Sequence, residues 1–431
     1  MLRLAASCRA EGRELTHLVR IENNSPQACS VGLVSRAELA HCRHWNNAFA
    51  DKRKDHRFYE LMEDTIHKEF EYGYITIRDE RGAVCAVQPF FVLDQDIVVG
   101  VSPKIGPVVE FIRWAWPRFL KMRTLMVGCV AGEGHLDGDA TMLDANARLL
   151  ASAIVAHARC LHASMIVLKE FPAKYREPLR CFLDRGFSRI PSMPMTLLNI
   201  EYGSFDDYMN KALNSATRRK LRKKFKAAAE AAPIDMSVIG DVTPIIDEVY
   251  PLYLRVYERS KLHFEKLTKD FFCELGRRMP DKVNFFVWRQ ESRIVAFSLC
   301  MPEGDALYTE YIGLDYAVAL DLHLYHYAIR DMTTWAMAHG YKCLRSSGLN
   351  YDPKLHLRHV LDPVDLYVRH VSPLTNAILK RVLPLMEPTR YDLTLKKFSN
   401  YDDLWDRARP ARADSPAVGA ASLPRSPIAA P

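Results

Sequence analysis

The sequence predicts an α/β (α+β) protein of two tandem units, each a mixed central sheet flanked by helices. Three observations predict this fold: 431 residues suffice for two domains, a strand–turn–strand pattern occurs twice, and the same elements surround both copies. We expect an N-terminal segment over 1–30, a first unit over 31–200, a second unit over 201–400 and a disordered tail over 407–431.

The repeated strand pairs are the most direct sign of a duplication. YGYITIRDERGAVCAVQPFFVLD (72–94) and VNFFVWRQESRIVAFSLCMPEGD (283–305) both read as an alternating strand, a charged turn and a second strand. A gap-free alignment superposes three identical pairs: Arg78 with Arg289, Glu80 with Glu291 and Val84 with Val295.

The elements around the two hairpins follow the same order of helices, hairpin, strand, helix and strand. In the first half these are helices within 44–70, a strand at 124–130, a helix over 143–162, a strand over 164–171 and a helix ended by Gly186. In the second half they are helices over 245–260 and 267–279, a strand over 306–315, a helix ended by Gly340 and a strand over 342–349.

Composition excludes several classes of protein. The chain is 48% hydrophobic and 26% charged, and no window approaches eighteen uninterrupted apolar residues, so we expect no membrane span. The opening residues lack the apolar stretch of a secretory signal, and we expect a cytoplasmic protein without integral membrane association. The ten cysteines form no CxxC pair, and those in apolar stretches, such as Cys85 and Cys300, are expected to be small hydrophobic core residues.

The positive charge is concentrated in NSATRRKLRKKFKAA (214–228). Seven cations lie within nine positions: Arg218, Arg219, Lys220, Arg222, Lys223, Lys224 and Lys226. Their charge equals the formal net charge of +7, so the excess is local. A surface that wraps nucleic acid would spread its basic residues over several elements, whereas this run favours one compact anionic group.

Apolar spacing predicts that the basic run is helical, with Asn214 or Ser215 as N-cap. Cations in its first turn oppose the helix dipole by about 0.3–1 kcal/mol each, a cost that bound phosphate would neutralise. A solvated charged face and binding to lipid headgroups remain the alternatives.

This order of elements resembles the acyl-CoA N-acyltransferase (GNAT) fold, and two such units resemble the Fem-type transferases, a family of predicted N-acyltransferases and peptidoglycan biosynthesis/recognition proteins. The resemblance covers roughly residues 35 to 400. Three stretches carry it: the basic helix, YTEYIGLDYAVALDLHLYHYAIRDMTTWAMAHGY, and NYDPKLHLRHVLDPVDLYVRH, which is similar to a Tyr-x-x-Lys segment of that family.

The sequence departs from the GNAT pattern at the loop that holds the cofactor pyrophosphate. That loop reads Arg/Gln-x-x-Gly-x-Gly/Ala, and the second unit has GLDYAVALDLHL without such glycines. In the first unit Gly132 and Gly134 have the spacing, but Cys129 stands where Arg or Gln is expected. Fem-type enzymes, which use aminoacyl-tRNA as donor, tolerate this absence.

The resemblance implies an N-acyltransferase that moves an acyl group from acyl-CoA or an acyl carrier protein to a small-molecule or peptide amine. Acyl-CoA is then a co-substrate, and no permanently bound cofactor is expected. The five cations Arg218, Arg219, Lys220, Arg222 and Lys223 are predicted to hold the donor phosphates. The alternatives are an aminoacyl-tRNA-dependent transferase acting on a cell-wall precursor or peptide, and a non-catalytic recognition protein.

Acyl transfer to an amine needs a base and a proton donor. Alternation in ALYTEYIGLD places Tyr308 and Glu310 on one strand face and Tyr311 on the other. Glu310 among aromatic and aliphatic neighbours is the predicted base, and Tyr311 the predicted proton donor. The alternative for Glu310 is a strand glutamate paired with a nearby arginine.

In SSGLNYDPKLHLRH, Tyr351, Lys354 and Arg358 are predicted to bind the acceptor, the alternative being ordinary surface residues. The pairs His323/His326 and His356/His359 have a spacing that can share a metal, but no third ligand is near in sequence, and we expect no metal. Neither GxSxG nor a Walker loop occurs, which favours direct transfer over a covalent enzyme intermediate.

Overall fold

The computed structural model describes residues 17–20, 29–96, 114, 121–230, 233–260 and 263–405. The strands are β1 His17–Arg20, β2 Ser30–Val34, β3 Glu71–Arg78, β4 Val84–Asp96, β5 Lys121–Val127, β6 Met165–Pro172, β7 Ser188–Pro191, β8 Met195–Asn199, β9 Ile234–Ile239, β10 Asn284–Gln290, β11 Arg293–Glu303, β12 Ala306–Leu314, β13 Cys343–Ser346, β14 Val360–Asp362 and β15 Val364–His370. The helices are α1 Arg36–Leu39, α2 His56–Thr65, α3 Leu143–Cys160, α4 Arg180–Asp184, α5 Phe205–Ala212, α6 Ser215–Glu230, α7 Ile246–Arg259, α8 Lys269–Arg278, α9 Leu324–Ala338, α10 Tyr351–His356 and α11 Pro373–Met386. The tail predicted over 407–431 and most of the predicted N-terminal segment lie outside the described residues.

Two mixed sheets with matching strand order form the framework. The first has the order β1-β2-β3-β4-β5-β6-β15-β7 and the second the order β14-β8-β13-β12-β11-β10-β9. Strands β5 and β6 are parallel, as are β12 and β13, and the neighbouring pairs are antiparallel. Strands β2 to β6 thus correspond to β9 to β13, and the protein has the two tandem GNAT-like units that the sequence predicts.

The two units exchange one strand with each other. Strand β8 follows the first unit in the chain but pairs with β13 and β14 of the second sheet. Strand β15 follows the second unit but pairs with β6 and β7 of the first sheet, where Tyr367 is 1% exposed. The predicted boundary near residue 200 remains a prediction, and strand pairing crosses it in both directions.

Local sequence explains most helices. The apolar period of α3 buries Ala147, Leu150 and Ile154 against the first sheet. Gly186 and Gly340 follow α4 and α9 with φ of +88° and +77°, which confirms the predicted helix ends. The predicted helices within 44–70 are α2 and a short 3-10 turn, Trp45–Asn47.

None of the described helices combines the length and the hydropathy that a bilayer crossing requires.

Helices α2 and α8 pack against each other at the junction of the two units. Phe58 and Phe271 meet edge to face with ring centroids 6.0 Å apart. Beside them, Arg57 Nη2 lies 2.8 Å from Asp281 Oδ2. This packing holds the segment that precedes α2 against the central strands of the second sheet.

Candidate active site at the junction of the two units

Six ionisable side chains meet in the interior between the units. They are Arg53 and Lys54 before α2, Glu133 and His135 after β5, Glu303 at the end of β11, and Glu310 in β12. Both cations are completely buried, and they are shared among the three carboxylates. Isolated charges are expensive to bury, so the arrangement depends on every partner being present.

Arg53 is the centre of this cluster. Its Nε donates to Glu310 Oε1 at 2.5 Å, Nη1 lies 3.3 Å from Glu303 Oε2, and Nη2 pairs with Glu133. The guanidinium stacks 3.6 Å from the centroid of the Tyr308 ring. Burial opposes the charged form, but Glu133 and Glu310 outweigh it and raise the pKa of Arg53.

Lys54 binds the second oxygen of Glu310. Its Nζ lies 3.2 Å from Glu310 Oε2 and 3.3 Å from Glu133 Oε2, and it donates to the carbonyl of Ala131 at 3.0 Å. Both carboxylate oxygens of Glu310 therefore contact cations, so the structure contains the arginine pairing that the sequence left as the alternative. The role of Glu310 as base remains a prediction.

A β-bulge aims Glu310 at this cluster. In the pairing of β11 with β12, Leu299 lies opposite Tyr311 and Cys300 opposite Thr309, which leaves Glu310 as the extra residue. Bulges re-aim side chains and are frequent beside active sites. Tyr308 and Glu310 both contact Arg53, as expected for neighbours on one face.

Tyr311 has a different partner. Its hydroxyl donates to Glu265 Oε1 at 2.6 Å, and its ring lies edge-on to Tyr253. Burial raises the pKa of Glu265, and burial also raises the pKa of Tyr311. The structure thus separates the two predicted catalytic residues: Glu310 joins the ionic cluster, and Tyr311 forms a pair with Glu265 that the sequence analysis missed.

Strand β13 ends just before these residues, whereas β12 continues past them. Strands β12 and β13 pair in parallel from Ala306 with Cys343 to Thr309 with Ser346. Strand β12 continues to Leu314 and there pairs only with β11 among the described strands. Backbone groups of 310–314 on that edge are available to a bound chain.

The basic run forms α6 as predicted. Asn214 Oδ1 accepts from the backbone N–H of Thr217 at 2.8 Å, which confirms an N-cap at Asn214. Leu221 packs in the core of the second unit, Ala228 is also buried, and the Phe225 ring lies edge-on to Phe205 at 6.0 Å. The helix therefore presents its basic face outward.

The predicted phosphate ligands on α6 divide into two groups. Arg218 donates to the carbonyls of Asn210 and Leu213 at 2.8 and 3.1 Å, and Arg222 donates to the Asn210 side chain at 3.1 Å. These two arginines thus bind the end of α5. The other three, Arg219, Lys220 and Lys223, are exposed.

Lys224, outside the predicted set, connects α6 to the start of α9. Its Nζ lies 3.1 Å from Nε2 of His326 in the first turn of α9. Burial, followed by Lys224 and two other histidines, lowers the pKa of His326 to about 4. Burial and Lys220 lower the pKa of Lys224. The repulsion between Lys220 and Lys224, beside the N-terminus of α9, would be relieved by a bound anion.

The predicted acceptor residues have mixed positions. Tyr351 is buried and its hydroxyl donates to the carbonyl of Pro194 at 2.8 Å. Lys354 is also buried, and its Nζ donates to the carbonyls of Ser347 and Leu349 at 2.6 and 3.0 Å. Burial lowers the pKa of Lys354 to about 7. Arg358 is exposed.

The glycines of CVAGEGHLDGD pack against the protein's own side chains. A Cβ on Gly132, whose φ is +91°, would lie 2.2 Å from Lys54 Nζ, and a Cβ on Gly134 would lie 2.8 Å from the carbonyl of Lys169 and from the Phe171 ring. Close packing inside the first unit accounts for both glycines.

A cavity of about 450 Å³ lies beyond the end of β12 and was not predicted; it is lined by Arg255, Glu258, Arg259, Arg293, Asp315, Tyr316 and Ala317. Buried Asp315 orients two arginines: its Oδ1 lies 2.5 Å from Arg255 Nη1, and its Oδ2 contacts Arg293. In the sequence this site has only a weak signal: Arg255 and Arg259 lie four residues apart at the end of α7.

Arg53 and Lys54 were also missed, although the run Lys52-Arg53-Lys54 was visible in the sequence. Short basic runs are usually exposed to solvent. The burial of Arg53 and Lys54 becomes evident only from the carboxylates that contact them in the folded protein. Within the described part of the chain, no three His, Cys, Asp or Glu side chains cluster as metal ligands would.

Comparison with known families identifies one match. The model of the FemAB-like family, described as peptidoglycan biosynthesis/recognition, matches residues 139–356, just over half of the 431 residues. The match includes β12, α6 and the Tyr351–Lys354 segment. No curated protein matches the chain.

Several solved structures are similar at low identity. FemX is 11% identical with a TM-score of 0.46, over 72% of this chain and 90% of that one. L-PGS from Bacillus licheniformis is 14% identical with a TM-score of 0.41, over 60% and 82%. A tandem GNAT protein from the clavulanic acid biosynthesis pathway is 10% identical with a TM-score of 0.37, over 73% and 87%. Identities this low carry no information about the reaction.

Proposed function

The chain belongs to the FemAB-like family, and from this premise we propose that it is an N-acyltransferase that transfers an acyl group directly from a thioester, acyl-CoA or acyl carrier protein, to an amine. Family and fold support a transferase of the acyl or aminoacyl type. The chemical identities of the donor, a thioester, and of the acceptor, an amine, are the more specific part of the proposal.

The observation that carries the proposal is the edge of β12 beyond Thr309, which no described strand covers, beside the bulge at Glu310. An extended donor chain can lie along the open edge of β12 and bond its backbone as an added strand would. Its reacting carbonyl would then lie beside the residues that follow Thr309, between the Glu310 cluster and the Tyr311–Glu265 pair.

The donor phosphates would lie where α6 meets the first turn of α9. Lys220 and Lys224 of α6, with the N-terminal dipole of α9, would bind them. Arg219 and Lys223 extend the same exposed face, and Arg218 and Arg222 position the helix from its other side. A phosphate would relieve the repulsion between Lys220 and Lys224.

The chemistry requires one proton to leave the acceptor and one to reach the leaving group. The free amine nitrogen attacks the thioester carbonyl, the N–C bond forms, and the C–S bond breaks as the thiolate accepts a proton. Glu265, whose pKa is raised by burial, is the better-placed base, because both oxygens of Glu310 already contact cations. Tyr311, bonded to Glu265, would protonate the thiolate.

The acceptor would bind beside the loop 347–350. Lys354 fixes that loop through two carbonyls, and Tyr351 anchors the start of α10 to the carbonyl of Pro194. These two residues would therefore act on the acceptor through the loop, while exposed Arg358 would contact it.

A second candidate is an aminoacyl-tRNA-dependent transferase. One observation favours it: Arg219, Lys220 and Lys223 face outward along α6 rather than converging on one pocket. A row of exposed cations suits a nucleic-acid backbone, and binding would then weaken steeply with salt.

Thermal-shift titration with acetyl-CoA, a long-chain acyl-CoA and a charged tRNA separates these functions, because a ligand that binds only the folded state raises Tm. We expect an acyl-CoA shift that is lost in Lys220→Ala/Lys224→Ala and kept in the control Lys68→Ala. A tRNA shift that vanishes at high salt would favour the second candidate. Binding without acyl transfer to any amine would favour a recognition protein.

A further inference from the structure

Helix α11 is anchored to the first sheet by one face. Asn376 accepts from the backbone N–H of His370 and donates to the carbonyl of Gly186, both at 2.9 Å. Leu383, two turns further along, is 9% exposed. These contacts fix the rotation of the helix, so its opposite face is held toward solvent.

That outward face is apolar. Leu374 is 76%, Ile378 56% and Leu385 69% exposed. At 3.6 residues per turn these three side chains lie within about 40° of one another around the helix, far from Leu383. Contiguous exposed apolar surface on a folded protein indicates an interaction site.

The exposed apolar surface continues beyond the helix. The hydroxyl of Tyr391 donates to the carbonyl of Leu385 at 3.1 Å, which places this 63% exposed ring at the end of the stripe. Leu393 follows and is 73% exposed. We call these residues, with Val382, the α11 surface: Leu374, Ile378, Val382, Leu385, Tyr391 and Leu393.

The charged side chains that α11 itself carries have one sign. Helix α11 contains no Asp or Glu, and the exposed cations nearest its apolar face are Arg381, on that face, and Lys396 and Lys397, just after the helix. Lys380 is also exposed but lies on the anchored side, near Asn376 and Gly186. The next two acids in the chain are engaged: Glu387 is buried and binds Arg390, and Asp392 caps the N–H groups of Thr394 and Leu395.

We propose that the α11 surface docks this protein on an anionic lipid bilayer as a peripheral, non-spanning contact. An apolar stripe that enters the headgroup boundary, flanked by Lys and Arg, is the combination that such interfaces require. A second copy of the chain fits less well, because the cations of two copies would face each other.

Vesicle co-sedimentation of the full chain tests this docking. We expect binding to phosphatidylcholine vesicles that contain phosphatidylglycerol, and binding about tenfold weaker for Leu374→Ser/Ile378→Ser/Leu385→Ser. Met142→Ser, which changes a 44% exposed methionine just before α3, is the matched control and should bind as the unchanged protein does. An unchanged circular dichroism spectrum of each variant would show that weaker binding does not result from unfolding.

The charge contribution is tested separately. Arg381→Glu, at a position about 20° from Leu374 around the helix, should weaken binding to the anionic vesicles, whereas Arg148→Glu, which changes the net charge equally at an exposed position elsewhere, should keep it. Equal binding to pure phosphatidylcholine, or equal losses in both charge variants, would overturn the proposal. So would a concentration-dependent dimer that the serine variant abolishes, without any vesicle binding.

Discussion

Arg53 Nε of the first unit lies 2.5 Å from Glu310 Oε1 on β12, the central strand of the second unit. The two residues are 257 positions apart in the chain. This ion pair, with Lys54 and Glu133, makes the predicted catalytic strand dependent on side chains from the other half of the protein.

Removal of Arg53 should destabilise the whole protein. Arg53→Met leaves carboxylates in the interior without their main counter-charge, and we expect a loss of about 3–5 kcal/mol in the free energy of unfolding by urea. Arg148→Met, at a 70% exposed arginine 3.5 Å from Asp144, is the control and should cost less than about 1 kcal/mol. Equal small losses would mean that the buried cluster is not a stabilising unit.

The buried lysine should make stability depend on pH. The folded pKa of Lys354 is about 7, below its unfolded value, so the unfolded chain holds more protons above pH 7. The contribution of Lys354 to the free energy of unfolding therefore rises with pH, by at most about 1.4 kcal/mol per pH unit. Lys354→Met loses the two carbonyl bonds, and the loss relative to the unchanged protein should be larger at pH 9 than at pH 7. Urea unfolding at both values measures this difference, and a gap that does not change with pH would contradict the burial.

The exchange of β8 and β15 should make the two halves interdependent. Fragments 1–200 and 201–431 each lack the strand that completes their own sheet, so we expect neither to give a cooperative unfolding transition alone. Co-expression should restore a soluble complex, because the missing edges are supplied by the other fragment. Independent folding of either fragment would show that the exchanged strands are dispensable.

Glu265 should control the pH dependence of transfer. If it is the base, kcat/KM rises with pH through its raised pKa, and Glu265→Gln removes that limb and lowers the rate by about 10²–10⁴-fold. Glu310→Gln, which keeps the shape but weakens the ionic cluster, should lower stability and leave the pH limb in place. The opposite result, with the limb lost only in Glu310→Gln, would return the role of base to Glu310.

Local patterns in the chain predicted the elements and one cap. The 3.6-residue apolar period marks α3 and α9, alternation marks both hairpins, and Asn214 caps α6 as expected, because each depends on residues within a few positions of one another. The repeated order of these elements along the chain also predicts the duplication.

Long-range contacts settled everything else. The pairing of Glu310 with Arg53 and Lys54, the bond from Tyr311 to Glu265 and the exchange of β8 with β15 join residues distant in sequence. Local pattern specifies which face of an element is apolar, but not which partner covers it. The free energy of a buried charge depends on those partners, so the chemistry of this site emerges only once both sheets are assembled.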